Sequence, residues 1–434
     1  MGRSAVSVPI SRVVVVGAGP GGVAAAALAR RLGRSDLQVR VLERDSRSAW
    51  AARRAFPVGL WAPACSVLQR LGVETSELAS RAVPGGCYVN TAGRVLAEPS
   101  PSALSQGAGA LRFFGCEAEL LDSIAGAQGV AVDFGWRCAG GGPASSTGGR
   151  RLHFETPSGP EELEADLVVL ASGAGGGGAL AAGSSGPAAD ALPPPLQRRG
   201  YVVYRGLSAA PLPPVFPTVA FQTWGPGMRF AAVPLMKGSA WYATFTEGHP
   251  LSREYEPGTE LDAPACVEKL RSAFGNWHEP IDELLQGTQQ VSLSEAFASP
   301  FPWRASPRGC GKTVFLGDAA FTYDPILAVG AGEAICDAAD VVAALVARLE
   351  QQPGPGGEAH DAQLDDLWAD LWRRRQPRAR LLAALSNVAE VLGQTQWCRT
   401  RDAATALAPS PIKRAIFDWS IRRLAEEAPP ISAI

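Results

Sequence analysis

The residues of this chain best suited to chemistry lie in two short stretches about three hundred positions apart. The first is Gly17-Ala18-Gly19-Pro20-Gly21-Gly22, which fits the spacing G-x-G-x-x-G, and the carboxylate of Glu43 follows about 20 residues later. Gly17 permits a tight turn, Gly19 lets the backbone approach a diphosphate, and Gly22 lets a helix pack closely on a strand. A helix opening at Pro20 offers free N–H groups and a partial positive charge to phosphate. Glu43 is placed to accept hydrogen bonds from a ribose diol and to repel a 2′-phosphate. This chemistry is dinucleotide binding, and it does not by itself separate NAD from FAD. The second stretch is Gly317-Asp318-Ala319-Ala320, with Pro325, Gly330 and Ala331 downstream.

These residues need a particular scaffold. Residues 13–16 form a β-branched run that reads as a buried parallel strand, residues 23–32 are a strong helix former, and residues 37–42 read as a second strand. Strand, glycine turn, helix and strand together make a βαβ unit. A second helix is expected over residues 49–71, with strands at 88–95, 130–136, 151–156 and 167–170. The Gly/Ser insertion at 139–149 reads as a solvated loop, and 173–195 as a flexible connection. From 201 to 245 the pattern changes to strands at 201–205, 219–224, 228–235 and 241–245, an antiparallel sheet rich in aromatics. Residues 314–316 and a helix to 349 return to α/β character. A linker at 351–358 precedes helices over 364–393 and a basic amphipathic stretch over 412–424.

Composition narrows the class. The chain has 434 residues, 46% hydrophobic and 19% charged, with a net charge of −2, so it is globular and carries no electrostatic footprint for nucleic acid. Eight cysteines have no C-x-x-C pair, and only four histidines occur, so no metal site is expected. No apolar run is long enough to span a bilayer. A nucleotide-binding strand follows directly after Arg3 and Arg12, leaving no room for a signal peptide's apolar core. A cytoplasmic location is expected, or an organellar one if an import segment is missing from the chain, with a monomer or homodimer as the assembly.

The second stretch supplies the resemblance that separates the cofactors. VFLGDAAFTYDPILAVGAGEAICDAADVVAAL at 314–345 resembles a signature of FAD-dependent monooxygenases of the p-hydroxybenzoate hydroxylase type. RRAFPVGLWAPACSVLQRLGV at 53–73, YVVYRGL at 201–207, FQTWGPGMRFAAVPL at 221–235, FGNWHEPIDELL at 274–285 and LWRRRQPRARLLAALSNVAEVLG at 371–393 are similar to other parts of that family. The resemblance implies an α/β fold: a Rossmann-type FAD-binding domain, an interleaved antiparallel-sheet substrate domain and C-terminal helices. Its parts would be 10–80, 101–185 and 299–350 for the FAD-binding domain, 81–100 for an excursion into the substrate sheet, 196–298 for the substrate domain and 360–425 for the helices. It further implies that Asp318 hydrogen-bonds the ribityl chain, that Pro325 lies beside the flavin ring, and that Gly330 and Ala331 start the helix whose N–H groups face it. Arg53 or Arg54 would fill the role of an Arg that approaches FAD, with Arg44 and Arg112 as further candidates.

Four positions depart from the family's pattern. Ser172-Gly173 replaces its mid-chain Asp-Gly, and CEAELLDSI at 116–124 lacks the usual Arg, although Arg112 lies just upstream. Ala328-Val329 replaces a Gly-Gln, and Phe321 replaces a His. The phosphate and ribose residues that would hold FAD are kept, whereas the loss of the Asp-Gly pair bears on reduction by NAD(P)H.

What the resemblance implies about reaction is a flavin reduced by NAD(P)H, a C4a-hydroperoxide formed with O₂, and hydroxylation or epoxidation of an apolar or aromatic small molecule. Two alternatives stay open: a flavoprotein with another redox reaction (reductase, dehydrogenase or halogenase), and a catalytically silent FAD-binding protein. No obligatory catalytic triad is expected. Tyr204 and Tyr242 are candidates to touch a substrate phenol, and Arg229 to touch substrate. Gln222, Trp224, Phe230, Trp241 and Phe245 are further candidates to line the cavity, and strand alternation puts only about half of all these on one face.

Overall fold

The run Arg12–Val16 is buried on both faces because it sits inside a six-stranded sheet, where continuous β-branched residues fit best. In the computed structural model the described residues are 10–75, 78, 80–83, 85–106, 111–143, 149–174, 195–216, 218–259, 261–302, 308–350 and 361–426. The sheet order is Gly309–Cys310, Thr313–Phe315, Leu167–Leu170, Arg12–Val16, Gln38–Glu43 and Val132–Phe134. All pairings are parallel except the short edge pair Gly309–Cys310 with Thr313–Phe315. The helices Pro20–Arg31 and Gly330–Glu350 pack on one face, sharing a core with Val13, Val15, Leu28, Ile335 and Ala338. The strand from the second chemical stretch therefore lies two places from the strand of the first, which brings distant sequence together.

A seven-stranded sheet lies beside this unit, ordered Thr288–Ala298, Gln197–Ser208, Ser239–Thr246, Met228–Pro234, Ala220–Trp224, Gly86–Asn90 and Val95–Ala97. Its neighbours are antiparallel apart from the parallel pair Ala220–Trp224 and Gly86–Asn90. The helices Ala263–Phe274 and Ile281–Gln286 cover one face, with Phe230, Trp241, Phe245, Leu270 and Phe274 in the shared core. A small sheet, with Leu111–Phe114 between Val58–Leu60 and Ser80–Val83, bridges the two larger ones. Its Phe113 packs with Val233 of the seven-stranded sheet and with Leu235 just past that strand, and its Phe114 with the dinucleotide-fold core.

Several sequence expectations change. The single helix over 49–71 is instead a helix Arg47–Arg53, a strand Val58–Leu60 and a helix Ala62–Arg70. Pro57 and Pro63 explain the break: each lacks a backbone donor, and Pro63 suits the first turn of the second helix. The strand expected over 88–95 is a hairpin. Asn90 turns the chain by accepting from the N–H groups of Ala92 and Arg94, and Gly93 adopts φ 78°. The insertion at 139–149 begins as strand, since Arg137–Pro143 pairs with Arg150–Thr156, while residues 144–148 lie outside the described set. The 351–358 linker and most of the 173–195 connection lie outside it too. Asp361–Gln394 is one continuous helix that includes Pro377.

Candidate functional site

The glycine turn has the geometry its spacing requires. Gly17 has φ 107°, and a Cβ there would collide with the Ala171 carbonyl; a Cβ on Gly22 would collide with the carbonyl of Gly17. Glu43 is 3% exposed and its carboxylate accepts from Ala18 N at 3.0 Å and Asp45 N at 3.1 Å, which locks the turn to the end of its strand. Trp50 adds a bond from its indole N–H to the Ala18 carbonyl at 2.9 Å.

Of the paired arginines, Arg53 is half-exposed and reaches Asp45 at 2.6 Å, and Arg44 is likewise half-exposed. Arg54 points inward. Its side chain is 13% exposed, it passes over the Trp50 ring, and a Cβ on Gly19 would stand 3.5 Å from its Nη2. Nε lies 3.2 Å from Glu117 Oε1 but off the line of donation, so Nε and Nη1 are buried without a hydrogen-bond acceptor among the described residues. The Ser172 hydroxyl, beside Gly17, is likewise buried without a partner. Orphaned buried donors next to a glycine cradle are expensive unless something accepts from them. They fit the diphosphate and ribityl end of a dinucleotide.

Glu117, at the start of helix Glu117–Ala127, occupies the stretch where the family pattern has an Arg. Burial pushes its carboxyl up, and Arg54 and Arg205 pull it back down. Asp318 faces the same space, 3.8 Å from where a Cβ on Gly330 would stand. Burial, with repulsion from Glu117 and Asp337, pushes its carboxyl up to about 6, and it accepts no hydrogen bond among the described residues. Arg112 lies on the central strand of the small sheet, where its charge acts on the Cys65 thiol.

The loop after Asp318 leads to Pro325, at the first turn of a short 3₁₀ segment capped by Asp324. Ala328 then adopts φ 52°, a left-handed conformation where the family pattern has Gly; an alanine there costs about 1–2 kcal/mol. Gly330 and Ala331 open the helix Gly330–Glu350, so their N–H groups have no intrahelical acceptor.

Register decides which sheet residues face this space. Ser292, Arg205, Tyr242, Ala231, Gln222 and Tyr88 form one cross-strand row, so their side chains share a face. That face meets the dinucleotide fold, because the Arg205 guanidinium lies over the Phe56 ring at 5.5 Å. Arg205 Nε and Ser292 Oγ are buried without partners. Tyr242 beside them is held protonated, its hydroxyl pushed up to about 12 by burial against the opposing pull of Arg205. The next row along this face contains Trp224 and Arg229. Trp224 stacks on Tyr88 at 4.4 Å and donates to Gln222, while Arg229 lies over Tyr201 and donates to Thr244.

Tyr204, Phe230, Trp241 and Phe245 do not line this space, which corrects the sequence expectation. They occupy the opposite face, in the core under the two covering helices, where Tyr204 donates to the Leu251 carbonyl and Trp241 to Thr288. Tyr204 and Arg205 are adjacent in sequence and so point to opposite sides. Two residues outside the sequence-based candidates also stand here, Glu117 and Tyr201, whose hydroxyl donates to Asp324 at 2.6 Å. Two signals were available: Tyr201 is four residues from Arg205 and shares its face, and Asp324 precedes a proline, a common capping arrangement.

No family model matches the chain. It is 30% identical over 360 residues to the 3-amino-4-hydroxybenzoate 2-monooxygenase of Streptomyces cremeus, covering 80% of this chain and 81% of that one. It is 26% identical to the FAD-dependent urate hydroxylase of Mycolicibacterium vanbaalenii, covering 75% and 78%. Among solved structures, p-nitrophenol 4-monooxygenase from Pseudomonas putida superposes with a TM-score of 0.70 at 16% identity, covering 96% of this chain and 98% of that one, a likeness of fold. The identity to the Streptomyces enzyme runs through four-fifths of both chains, and the glycine turn and the Asp318 loop meet at one site. The chain belongs to the FAD-dependent monooxygenases of the p-hydroxybenzoate hydroxylase type.

Proposed function

We propose that this enzyme transfers one oxygen atom from O₂ to an aromatic small molecule bearing a polar oxygen substituent, using FAD reduced by NAD(P)H. The observation that carries the substrate reading is the row Ser292, Arg205 and Tyr242. Three polar side chains stand on adjacent strands of a mostly apolar sheet, two of them with buried atoms that lack a partner. Such a row is costly in an empty cavity and becomes favourable against a phenolate, phenol or carboxylate oxygen. The relative's name specifies an aminohydroxybenzoate, a ligand of this chemistry.

FAD, when bound, supplies the electrons that activate O₂. The chain's own residues do the rest. The glycine turn and the helix from Pro20 take the diphosphate, with Arg54 beside it. Asp318 takes a ribityl hydroxyl, and the N–H groups of Gly330 and Ala331 offer positive potential to a ring that gains negative charge. Arg205 binds and orients the substrate's oxygen, and Tyr242, protonated at neutral pH, donates a hydrogen bond to it. Phe56 and the apolar wall of the sheet exclude water.

Arg54→Gln tests the cofactor half of this reading. Losing a buried guanidinium that faces phosphate is expected to raise the dissociation constant for FAD about 10–100-fold, measured by quenching of flavin fluorescence. An unchanged constant would remove Arg54 from the site. For the reaction, the purified protein is given FAD, NADPH, isotopically heavy O₂ and a panel of hydroxy- and aminobenzoic acids. The expected result is a product carrying one heavy oxygen, with Arg205→Ala lowering turnover about 10–100-fold while FAD still binds. Flavin that binds but is never bleached by NADPH or NADH with any substrate would sink the monooxygenase reading. A silent FAD-binding protein or another electron donor, the alternatives raised by Ser172-Gly173, would take its place.

A further inference from the structure

The long helix Asp361–Gln394 ends on the same face of the seven-stranded sheet as Arg205 and Tyr242, and its last residues are fitted there closely. Residue 393 is glycine, and a Cβ on it would stand 2.6 Å from Arg229 Cδ and 3.4 Å from the Trp224 indole nitrogen. The helix end comes down on the sheet because that position has no side chain. Arg401, on the following helix Cys398–Leu407, clamps the junction by donating to the Leu392 carbonyl at 3.0 Å and to the Trp224 carbonyl at 2.9 Å. Gly227 N donates to the Thr395 carbonyl at 3.3 Å. A helix terminus pinned in this way holds its side chains in fixed positions.

Two polar groups at this end are left over. Gln394 is nine-tenths buried; its Nε2 donates to Thr244 Oγ1 at 3.0 Å, while its Oε1 is buried without a donor. Arg229 is 3% exposed and its Nε donates to the same Thr244 oxygen at 3.2 Å, while its two terminal nitrogens make no hydrogen bond and no ion pair among the described residues. Glu390 lies within its field but is paired with Arg199, which also holds Asp324. A buried guanidinium and a buried amide oxygen tied to one hydroxyl are costly alone. They become favourable when one ligand presents an oxygen to the first and an N–H or O–H to the second. Thr244 is two residues from Tyr242 on its strand, and Arg229 lies two strands across and two residues along from Arg205, about 12 Å between Cα positions from strand spacing and rise. One aromatic ring with polar groups on opposite sides fits that separation, and the stacked pair of Tyr88 and Trp224 gives it an aromatic wall.

We propose that Gln394 and Arg229 form a second polar subsite, which recognises on the substrate an oxygen flanked by an N–H or O–H donor, the edge of an ortho-aminophenol, a catechol or a lactam. Arg229 takes the oxygen, Gln394 accepts from the donor, and the opposite side of the ring meets Arg205 and Tyr242. Resting on the assignment of this sheet face to an aromatic substrate, the subsite narrows that substrate to one with polar groups at both ends.

The test is titration of the FAD-loaded, full-length protein with 3,4-dihydroxybenzoate and with 4-hydroxy-3-methylbenzoate, in which a methyl group replaces the donor at nearly the same size, followed by the change in flavin absorbance. The wild type is expected to bind the dihydroxy compound about tenfold more tightly than the methyl compound. Gln394→Leu should bring the two to within about twofold of each other, chiefly by weakening the dihydroxy compound, whereas Arg229→Gln should weaken both about 10–100-fold. Gln394→Met reads the same point if the leucine variant fails to fold. Equal binding of the two compounds by the wild type, or a preference that survives the loss of the Gln394 amide, would overturn the proposal and leave the aromatic-substrate reading standing, since the methyl compound still binds. Binding of neither compound to the FAD-loaded wild type would overturn that reading and the subsite with it.

Discussion

Arg375→Ala is expected to lower the free energy of unfolding by about 3–5 kcal/mol, the cost of breaking a buried charge network from one side. Arg375 lies on the long helix Asp361–Gln394 and reaches Glu333 and Asp337 at 2.8 Å and Asp340 at 3.4 Å, all on Gly330–Glu350. Burial alone would depress its basicity, yet the three carboxylates hold it well above the ordinary value, so the guanidinium is charged throughout. Arg308 pairs with Asp337, and Arg378 pairs with Glu333. Asp337 also accepts from Gly317 N, the residue before Asp318. Removing Arg375 takes the nearest cation from Asp340 and leaves Asp337 paired with Arg308, and it loosens the helix Gly330–Glu350, whose first residues are proposed to face the flavin. Chemical denaturation should therefore report a lower midpoint, and flavin titration of the folded variant a weaker affinity. Arg375→Lys is expected to recover only part of the loss, because one ammonium cannot serve three carboxylates in fork geometry. A midpoint within error of wild type would show that the network is solvated and energetically idle.

Asp318→Asn is expected to change stability and cofactor affinity in opposite directions. Burial, then repulsion from Glu117 and Asp337, raises the Asp318 carboxyl to about 6 from an ordinary value of 3.8. A carboxyl raised on folding binds its proton more tightly in the native state. Its contribution is therefore fully present below the unfolded value and is lost as pH rises through the folded one. Above pH 6 the ionised group costs the FAD-free protein about 3 kcal/mol, by the rule that one unit is about 1.4 kcal/mol. Asparagine removes that cost, so the FAD-free variant should melt several degrees higher at pH 8 and no higher at pH 4. The same change removes the charged acceptor proposed to hold the ribityl chain and should weaken FAD about 10–100-fold. Thermal melts at both pH values and a fluorescence titration decide it. A variant no more stable than wild type at pH 8 would place water or a cation on Asp318, and unchanged FAD affinity would remove it from the site.

Opposed effects of this kind are expected where a site is built for a ligand. Arg54, Ser172, Arg205, Ser292 and Asp318 all bear polar atoms that the protein does not satisfy itself. Most of the polar groups around them are satisfied. Tyr201 and Arg199 both bond to Asp324, and Arg199 also pairs with Glu390, which fixes the loop of Pro325 to the sheet and to the long helix.

The linear sequence settled the parts of this protein that depend on local geometry. Gly17, Gly19, Gly22 and Glu43 could be read directly, because a glycine turn between a buried strand and a helix imposes its residues within one βαβ unit. Asp318, Pro325 and Gly330 were reached only through the resemblance of residues 314–345 to the family's signature, and the roles proposed for them rest on that resemblance. The helix over 49–71 was misread because Pro57 and Pro63 were outweighed by an apolar spacing that a helix–strand–helix satisfies equally well. Tertiary structure alone decided between Tyr204 and Tyr242, and brought Arg205 and Ser292 to one spot. Neighbouring strand residues face opposite ways, and which face is covered depends on where Ala263–Phe274 and Ile281–Gln286 pack, a fact that no residue of the strand records. Glu117 entered the site in the same manner: Arg54 and Arg205 are distant from it in sequence, and only the packing of three separate elements puts a helix-start glutamate within the field of two guanidiniums.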